Sequence, residues 1–279
     1  MRPTLLGALA LAIAAHPGPS LLRSSSSCTG SSVNLTAGDC STWQEIYDHG
    51  HGWQQCSRSD PCSCDHIRIG CGPALGLPVP WLNASDCTPA CVPGVSMCCR
   101  DPQTINSTGA CFAVPTCSVL VDPPAPPPPG APWHILGMVF DPDEMVSSPI
   151  ETLSGTIPAA LGNLTELVQL IISDNHLSGS VPESMSKLTK LSQLFLSYNR
   201  LSGSLPSSLS ALENVGALML QCNDLTGALP ALPFDKIKIC DANHQVGLGS
   251  NCSASGRTDN TFSCPLPDGA AEHCHAKCV

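Results

Sequence analysis

Apolar residues return along the middle of the chain with a fixed period of 24 residues. The hexapeptide Leu-Ser-Gly-Thr-Ile-Pro at 153–158 recurs in closely similar form at 177–182, 201–206 and 225–230. A constant period of this length is typical of a solenoid, in which each unit buries its apolar face only against its neighbours. The pattern therefore predicts a stack of equivalent coils.

Each period contains a Leu-x-Leu step, such as Leu194 and Leu196, in which the first and last residues face one way. This period of two predicts a short strand whose inward leucines build a common core from coil to coil. An asparagine follows each strand, at Asn175, Asn199 and Asn223. Its amide offers donors and acceptors to backbone groups that a buried turn leaves unpaired. We therefore predict a ladder of structural asparagines.

The repeat resembles the plant-type leucine-rich repeat, L-x-x-L-x-L-x-x-N-x-L-S-G-x-I-P, over residues 133–243. This resemblance implies an α/β leucine-rich repeat solenoid, a right-handed coil with a parallel sheet on its concave side. Residues 43–71 are similar to the N-terminal cap of the same family, because Trp53 and the Asp-Pro-Cys stretch at 60–62 match it. Cys64 stands where that cap has a second tryptophan.

Other segments divide the rest of the chain. Residues 1–15 combine a positive charge near the start, at Arg2, with a short apolar run. This pattern predicts a signal peptide and secretion. That run is too short to span a membrane, and no other segment is long enough, so no transmembrane segment is expected. A Ser-rich lead-in follows at 16–39. Seven prolines at 122–132 predict a semi-rigid polyproline II spacer.

The segment from 72 to 121 carries six further cysteines and matches no family pattern that we recognise. It is either an insertion in the cap or part of a separate disulfide-rich irregular module at 40–121. The Pro-rich spacer that follows favours the separate module. At the other end, residues 244–279 are predicted to form a Cys-rich cap over the last coil.

Composition narrows the functional classes. The chain has 279 residues, only 12 Lys plus Arg and a net charge of −10, which argues against nucleic-acid binding. Twelve cysteines lie between 28 and 117 and six between 222 and 278, so each block can close on itself in an oxidising compartment. Five glycosylation sequons are also consistent with secretion: Asn34, Asn83, Asn106, Asn163 and Asn251.

Candidates for chemistry are few. His273, Cys274, His275 and Cys278 have a zinc-like spacing, as do Cys62, Cys64 and His66. In a secreted, Cys-rich chain we expect disulfides to take these thiols, so no metal or cofactor is expected. No nucleophile-elbow, zinc-protease or phosphate-loop motif is present in the sequence, and we expect no enzyme activity.

Function is therefore assigned to the concave sheet. Strand alternation turns Phe195 outward, where we expect it to be exposed with the other outward residues, which are Gln169, Ile171, Ser173, Gln193, Ser197, Tyr198, Met219 and Gln221. An apolar column with polar neighbours suits an extracellular protein or peptide partner. The oligomeric state stays open. The alternative is a structural component of an extracellular matrix or cell wall.

Overall fold

The computed structural model of the protein describes residues 27–63, 68–73, 132–140, 152–243, 252–253 and 256–279. The helices in this part of the chain are α1 (Ala37–Asp48) and α2 (Ala270–Cys274). The strands are β1 (Arg68–Pro73), β2 (Trp133–Val139), β3 (Ser154–Gly155), β4 (Gln169–Ile171), β5 (His176–Gly179), β6 (Gln193–Phe195), β7 (Arg200–Ser204), β8 (Ala217–Met219), β9 (Asp224–Gly227), β10 (Ile239–Asp241) and β11 (Thr261–Phe262). The predicted signal peptide and nearly all of the Pro-rich spacer lie outside the described residues.

Two sheets run along the stack of coils. The concave sheet has the order β1-β2-β4-β6-β8-β10, and a lateral sheet has the order β11-β9-β7-β5-β3. All pairs are parallel except β1 with β2, which is antiparallel. Leu170, Leu194 and Leu218 are register partners in successive strands, and all three are buried in one core. The predicted leucine-rich repeat fold and its period are thus confirmed.

The convex side is built from single turns of 3₁₀ helix, each of which follows a proline. Their bounds are Ala159–Asn163, Glu183–Lys187 and Ser207–Ala211. The glycine of each Leu-Ser-Gly step lies in the lateral sheet instead. Gly179 has a φ of 75°, and a Cβ there would come within 3.1 Å of the Thr156 methyl carbon. A left-handed backbone against a neighbouring coil is a position that favours glycine.

The asparagine ladder ties adjacent coils together through the backbone. Asn199 is 1% exposed, and its Oδ1 accepts the Leu177 amide hydrogen at 3.0 Å. Its Nδ2 donates to the carbonyl oxygens of Ile172 at 2.8 Å and Leu196 at 3.1 Å. The residue before each ladder asparagine takes a left-handed conformation, with a φ of 54° at Tyr198. This turn directs the amide inward, where it satisfies buried backbone groups.

The ladder continues at Asn260, which the 24-residue period does not predict. Asn260 Oδ1 accepts from the Leu225 amide at 3.0 Å, and its Nδ2 donates to the Leu220 and Ala242 carbonyls. These contacts are of the same kind as those of Asn199, but Asn260 follows Asn223 by 37 residues rather than 24. Asn243 occupies the next place, where its Oδ1 accepts from the Lys277 amide at 2.8 Å.

The N-terminal segment packs directly on the first coil. Trp53 packs against Phe140 with 5.1 Å between ring centroids and 60° between ring planes, and the two residues are 0% and 2% exposed. Asp39 of α1 accepts hydrogen bonds from the Ile135 amide and from the His134 ring, both at 3.0 Å. β1 also extends the concave sheet. Buried residues of the segments 40–63 and 68–73 thus share one hydrophobic cluster with the repeats.

Asp60 fastens the start of the described chain to this cap. Its carboxylate accepts hydrogen bonds from the Ser32 hydroxyl at 2.6 Å, the Ser31 hydroxyl at 2.8 Å and both backbone amides. Burial raises the pKa of the Asp60 carboxyl, but the hydrogen bonds from Ser32 and Ser31 outweigh it and lower that pKa below 3.8. The folded cap therefore favours the charged carboxylate.

We expect Asp60→Asn to destabilise the chain near neutral pH and to lose this effect in acid. A depressed folded pKa contributes stability that is fully present above the unfolded value and is lost as the pH falls through the folded value. The difference in melting temperature between wild type and Asp60→Asn should be constant above about pH 5 and shrink below pH 3.8. The exposed Asp235→Asn is the control. A difference that stays constant into strong acid would contradict this role.

The C-terminal segment closes the other end of the solenoid. All six of its cysteines are paired within the block, as Cys222–Cys252, Cys240–Cys274 and Cys264–Cys278, which confirms the predicted self-contained framework. Phe262 of β11 and Cys274 of α2 are fully buried against the last coils. In the N-terminal block, Cys28 pairs with Cys40 and Cys62 with Cys71.

Candidate binding face

The concave sheet carries apolar side chains that are separate from the solenoid core. Leu194 lies in the core, whereas its neighbour Phe195 lies on the opposite face of the strand. We call the outer group the concave cluster: Val139, Ile171, Phe195 and Ala217, with Met219 and Ile239 packed against it. The predicted alternation is therefore confirmed.

The expected exposure of this face was wrong. Ile171 is 1% exposed and Phe195 is 4% exposed, and the polar residues beside them are buried as well, namely Gln169, Ser173, Gln193, Ser197 and Gln221. Among the described aromatic and aliphatic side chains of this face, Tyr198, Met219 and Ile239 keep an intermediate exposure. Alternation along a strand fixes the direction of a side chain but says nothing about what packs on it. The accessible apolar part of the face is thus at its C-terminal end.

Two side-chain ladders flank the concave cluster. Gln169 Nε2 donates to Gln193 Oε1 at 2.6 Å, and the hydroxyls of Ser173 and Ser197 lie 2.9 Å apart. Both ladders end in the next coil. Ala217 stands at the position of Gln193, and Gln221 stands at the position of Ser197. The side-chain oxygen of Gln221 is buried and has no hydrogen-bond partner in the described structure. A buried acceptor without a partner costs free energy.

The C-terminal segment also borders this face, which the sequence did not indicate. Arg257 donates to the Asn175 carbonyl at 2.8 Å, across 82 residues of sequence. Asp259 accepts from the Cys222 amide at 3.4 Å. Both contacts lie where the chain leaves the concave strands. No periodic signal marks Arg257 or Asp259, because they lie beyond the repeats.

The remaining candidate residues are distributed over several regions. Asn163 and Asn34 are exposed, as glycosylation requires, while Asn83, Asn106 and Asn251 lie outside the described residues. The zinc-like thiols of Cys62, Cys274 and Cys278 are in disulfides. Cys64 and His66 lie outside the described residues. Within the described ranges, no group of three or more His, Cys, Asp or Glu side chains is arranged to hold a metal ion.

The same part of the chain contains no helix that is both long enough and apolar enough to cross a membrane. The predicted signal peptide at 1–15 lies outside it.

Comparisons with known proteins agree with this architecture. The Leucine Rich Repeat family model matches residues 166–188 and 190–212. A chain of the BIR3–SERK2 complex from Arabidopsis thaliana is 30% identical, with 43% of this chain and 58% of that chain covered and a TM-score of 0.35. No curated protein sequence matches.

Two further solved structures from Arabidopsis are similar. The receptor kinase HAESA, solved with the peptide hormone IDA and the co-receptor SERK1, is 31% identical over 42% of this chain and 17% of that chain, with a TM-score of 0.33. The ectodomain of the receptor kinase SOBIR1 is 17% identical over 86% of this chain and 89% of that chain, with a TM-score of 0.48. The chain thus spans 58% of the matched chain in the BIR3–SERK2 complex and 17% of the matched chain in the HAESA complex.

The 24-residue period, the parallel concave sheet, the asparagine ladder and the matching family model lead to one conclusion. The chain contains leucine-rich repeats of the plant-type pattern and has disulfide bonds at both ends.

Proposed function

We propose that the protein is a non-enzymatic, secreted recognition protein that binds a protein or peptide partner at the C-terminal end of its concave sheet. The observation that carries this proposal is the pair Met219 and Ile239, which is partly exposed and packs against the concave cluster outside the solenoid core. Apolar residues on the outer face of a repeat sheet are not needed to fill the coil. Residues of this kind are common anchors in protein interfaces.

The C-terminal end of the face has the chemistry that a peptide needs. Met219 and Ile239 are partly exposed diagonal neighbours on adjacent strands, because the register partner of Met219 is Asp241 and that of Ile239 is Ala217. Tyr198 is also partly exposed, and its backbone amide donates to the Gln221 carbonyl at 3.0 Å. An apolar side chain of a partner would pack on Met219 and Ile239.

Met219→Glu is expected to weaken partner binding at least 10-fold without unfolding the chain. The carboxylate would be desolvated where an apolar group is accepted, whereas in the free chain Met219 is partly in contact with water. The full-length wild type would be immobilised to capture proteins from extracellular fluid of the source organism. The dissociation constant of the captured partner would then be measured for each variant.

Ser202→Glu is the matched control, because Ser202 is exposed on the lateral sheet and receives the same charge. We expect it to bind as the wild type does. Melting temperatures of both variants test whether the fold is intact. Equal affinities of Met219→Glu and Ser202→Glu would reject this face. A wild-type chain that captures no partner would favour the structural role in a matrix or wall.

A further inference from the structure

The convex side of the solenoid carries a glycosylation sequon on a rigid turn. Its residues are Asn163, Leu164 and Thr165, and Asn163 is the last residue of the 3₁₀ turn at 159–163. Leu164 is fully buried in the core and anchors this turn, whereas Asn163 and Thr165 are exposed. The fold thus holds both polar side chains of the sequon at the surface.

The side-chain amide of Asn163 is engaged through its oxygen. Oδ1 accepts a hydrogen bond from Lys187 Nζ, on the next convex turn, at 3.2 Å. Among the described residues, none bonds to Nδ2 of Asn163 or to the hydroxyl of Thr165. The buried Asn199 differs, because its Nδ2 donates to two backbone carbonyls. Nδ2 of Asn163, the atom to which an N-linked sugar attaches, is therefore available.

The other sequon within the described ranges has a different environment. Asn34 is exposed, but the hydroxyl of its sequon belongs to Thr36, the N-cap residue of α1. Thr36 Oγ1 accepts from the Asp39 amide at 3.0 Å. In the folded cap this hydroxyl is already used by the helix. Of these two sequons, the one at Asn163 is the one that folding leaves free at both polar side chains.

We propose that Asn163 carries an N-linked glycan that covers the convex turns at 159–163 and 183–187. In the transfer, Nδ2 forms a bond to the anomeric carbon of a lipid-diphosphate-linked oligosaccharide. The bond from that carbon to the diphosphate breaks, and Nδ2 loses one proton. Oδ1 keeps its contact with Lys187. Such a bulky, hydrated group closes the convex side to protein partners and leaves the concave sheet, on the other side of the coil, accessible.

This modification rests on the secretion in the proposed function, because the transfer occurs in the secretory pathway. The test therefore uses the full-length chain behind the signal peptide of a secreted protein of a eukaryotic host. Entry into the pathway then does not depend on residues 1–15. Glycans would be removed by an amidase in heavy-oxygen water, which marks each formerly glycosylated asparagine for mass spectrometry.

We expect the wild-type peptide with Asn163 to be marked, and Asn163→Gln and Thr165→Ala each to lose one glycan from the intact mass. Thr189→Ala is the matched control, since Thr189 has the same exposed position one period later but belongs to Lys-Leu-Thr, which is no sequon. It should keep the glycan. An unmodified Asn163 in the secreted wild type would overturn the proposal, whatever residues 1–15 direct.

Amine labelling of the folded chain tests whether the glycan covers the neighbouring turn. Thr165→Ala removes the glycan but keeps Asn163, so the contact with Lys187 is unchanged. We expect an acylating reagent to label Lys187 more completely in this variant than in the wild type. The exposed Lys236 should be labelled equally in both. Equal labelling of Lys187 in the two proteins would refute the covering of the convex turns.

Discussion

Phe195→Glu is expected to destabilise the folded chain by more than about 4 kcal/mol. Removing a buried phenylalanine costs about 3–5 kcal/mol through lost contacts and the cavity left behind. A glutamate in the same place adds the cost of a buried charge without a partner. Phe195 is 4% exposed between its register partners Ile171 and Met219 and packs in a cluster of apolar side chains.

The measurement is equilibrium unfolding in denaturant, with Ser202→Glu as the control for an added charge. Ser202 is exposed, so its variant should lie within about 0.5 kcal/mol of the wild type. If Phe195→Glu unfolds at the same denaturant concentration as Ser202→Glu, the concave face is open to water in solution. That result would restore the exposed surface that strand alternation by itself predicts.

Asn199→Ala is expected to cost about 3–6 kcal/mol, because it removes hydrogen bonds that no other group can replace. The Leu177 amide and the carbonyl oxygens of Ile172 and Leu196 would lose their partner. Each buried backbone group left unpaired costs about 1–3 kcal/mol. Asn199 is 1% exposed, so water cannot take over these bonds without opening the coil.

Asn214→Ala is the matched control. Asn214 is exposed on the convex side and makes one hydrogen bond, to the Thr189 carbonyl at 2.7 Å. We expect it to lose at most about 1 kcal/mol. Asn260→Ala should behave like Asn199→Ala, although it is outside the repeat pattern. Denaturant midpoints for the three variants give the comparison. Similar midpoints for Asn199→Ala and Asn214→Ala would refute the ladder.

The two experiments separate the contributions of the repeat and of its surroundings. Loss of Asn199 tests an interaction between neighbouring coils, which the repeat pattern contains in full. Loss of Phe195 tests the packing on the outer side of the concave sheet, which the repeat pattern does not specify. If only the Asn199 substitution is costly, the chain is a solenoid with an open concave face. If the Phe195 substitution is costly as well, that face acts as a second core.

Local pattern was sufficient to determine the coils. Leucines 24 residues apart have to stack, since each coil can bury its apolar face only against the next one. The same reasoning gave the direction of Phe195 and the role of Asn199, because both depend on neighbours at fixed sequence separations. The six C-terminal cysteines also close within their own block, as their even number suggested. These features are local or periodic, and a single sequence records them.

Tertiary contacts decided what the period does not encode. Asn260 joins the ladder only because the chain returns to the last coil after a detour, at a distance that no repeat predicts. Trp53 joins the repeat core through Phe140, 87 residues later, although the sequence favoured a separate module. The burial of Phe195 likewise depends on long-range packing. A strand pattern specifies which way a side chain points, and only the folded chain determines whether water or protein meets it.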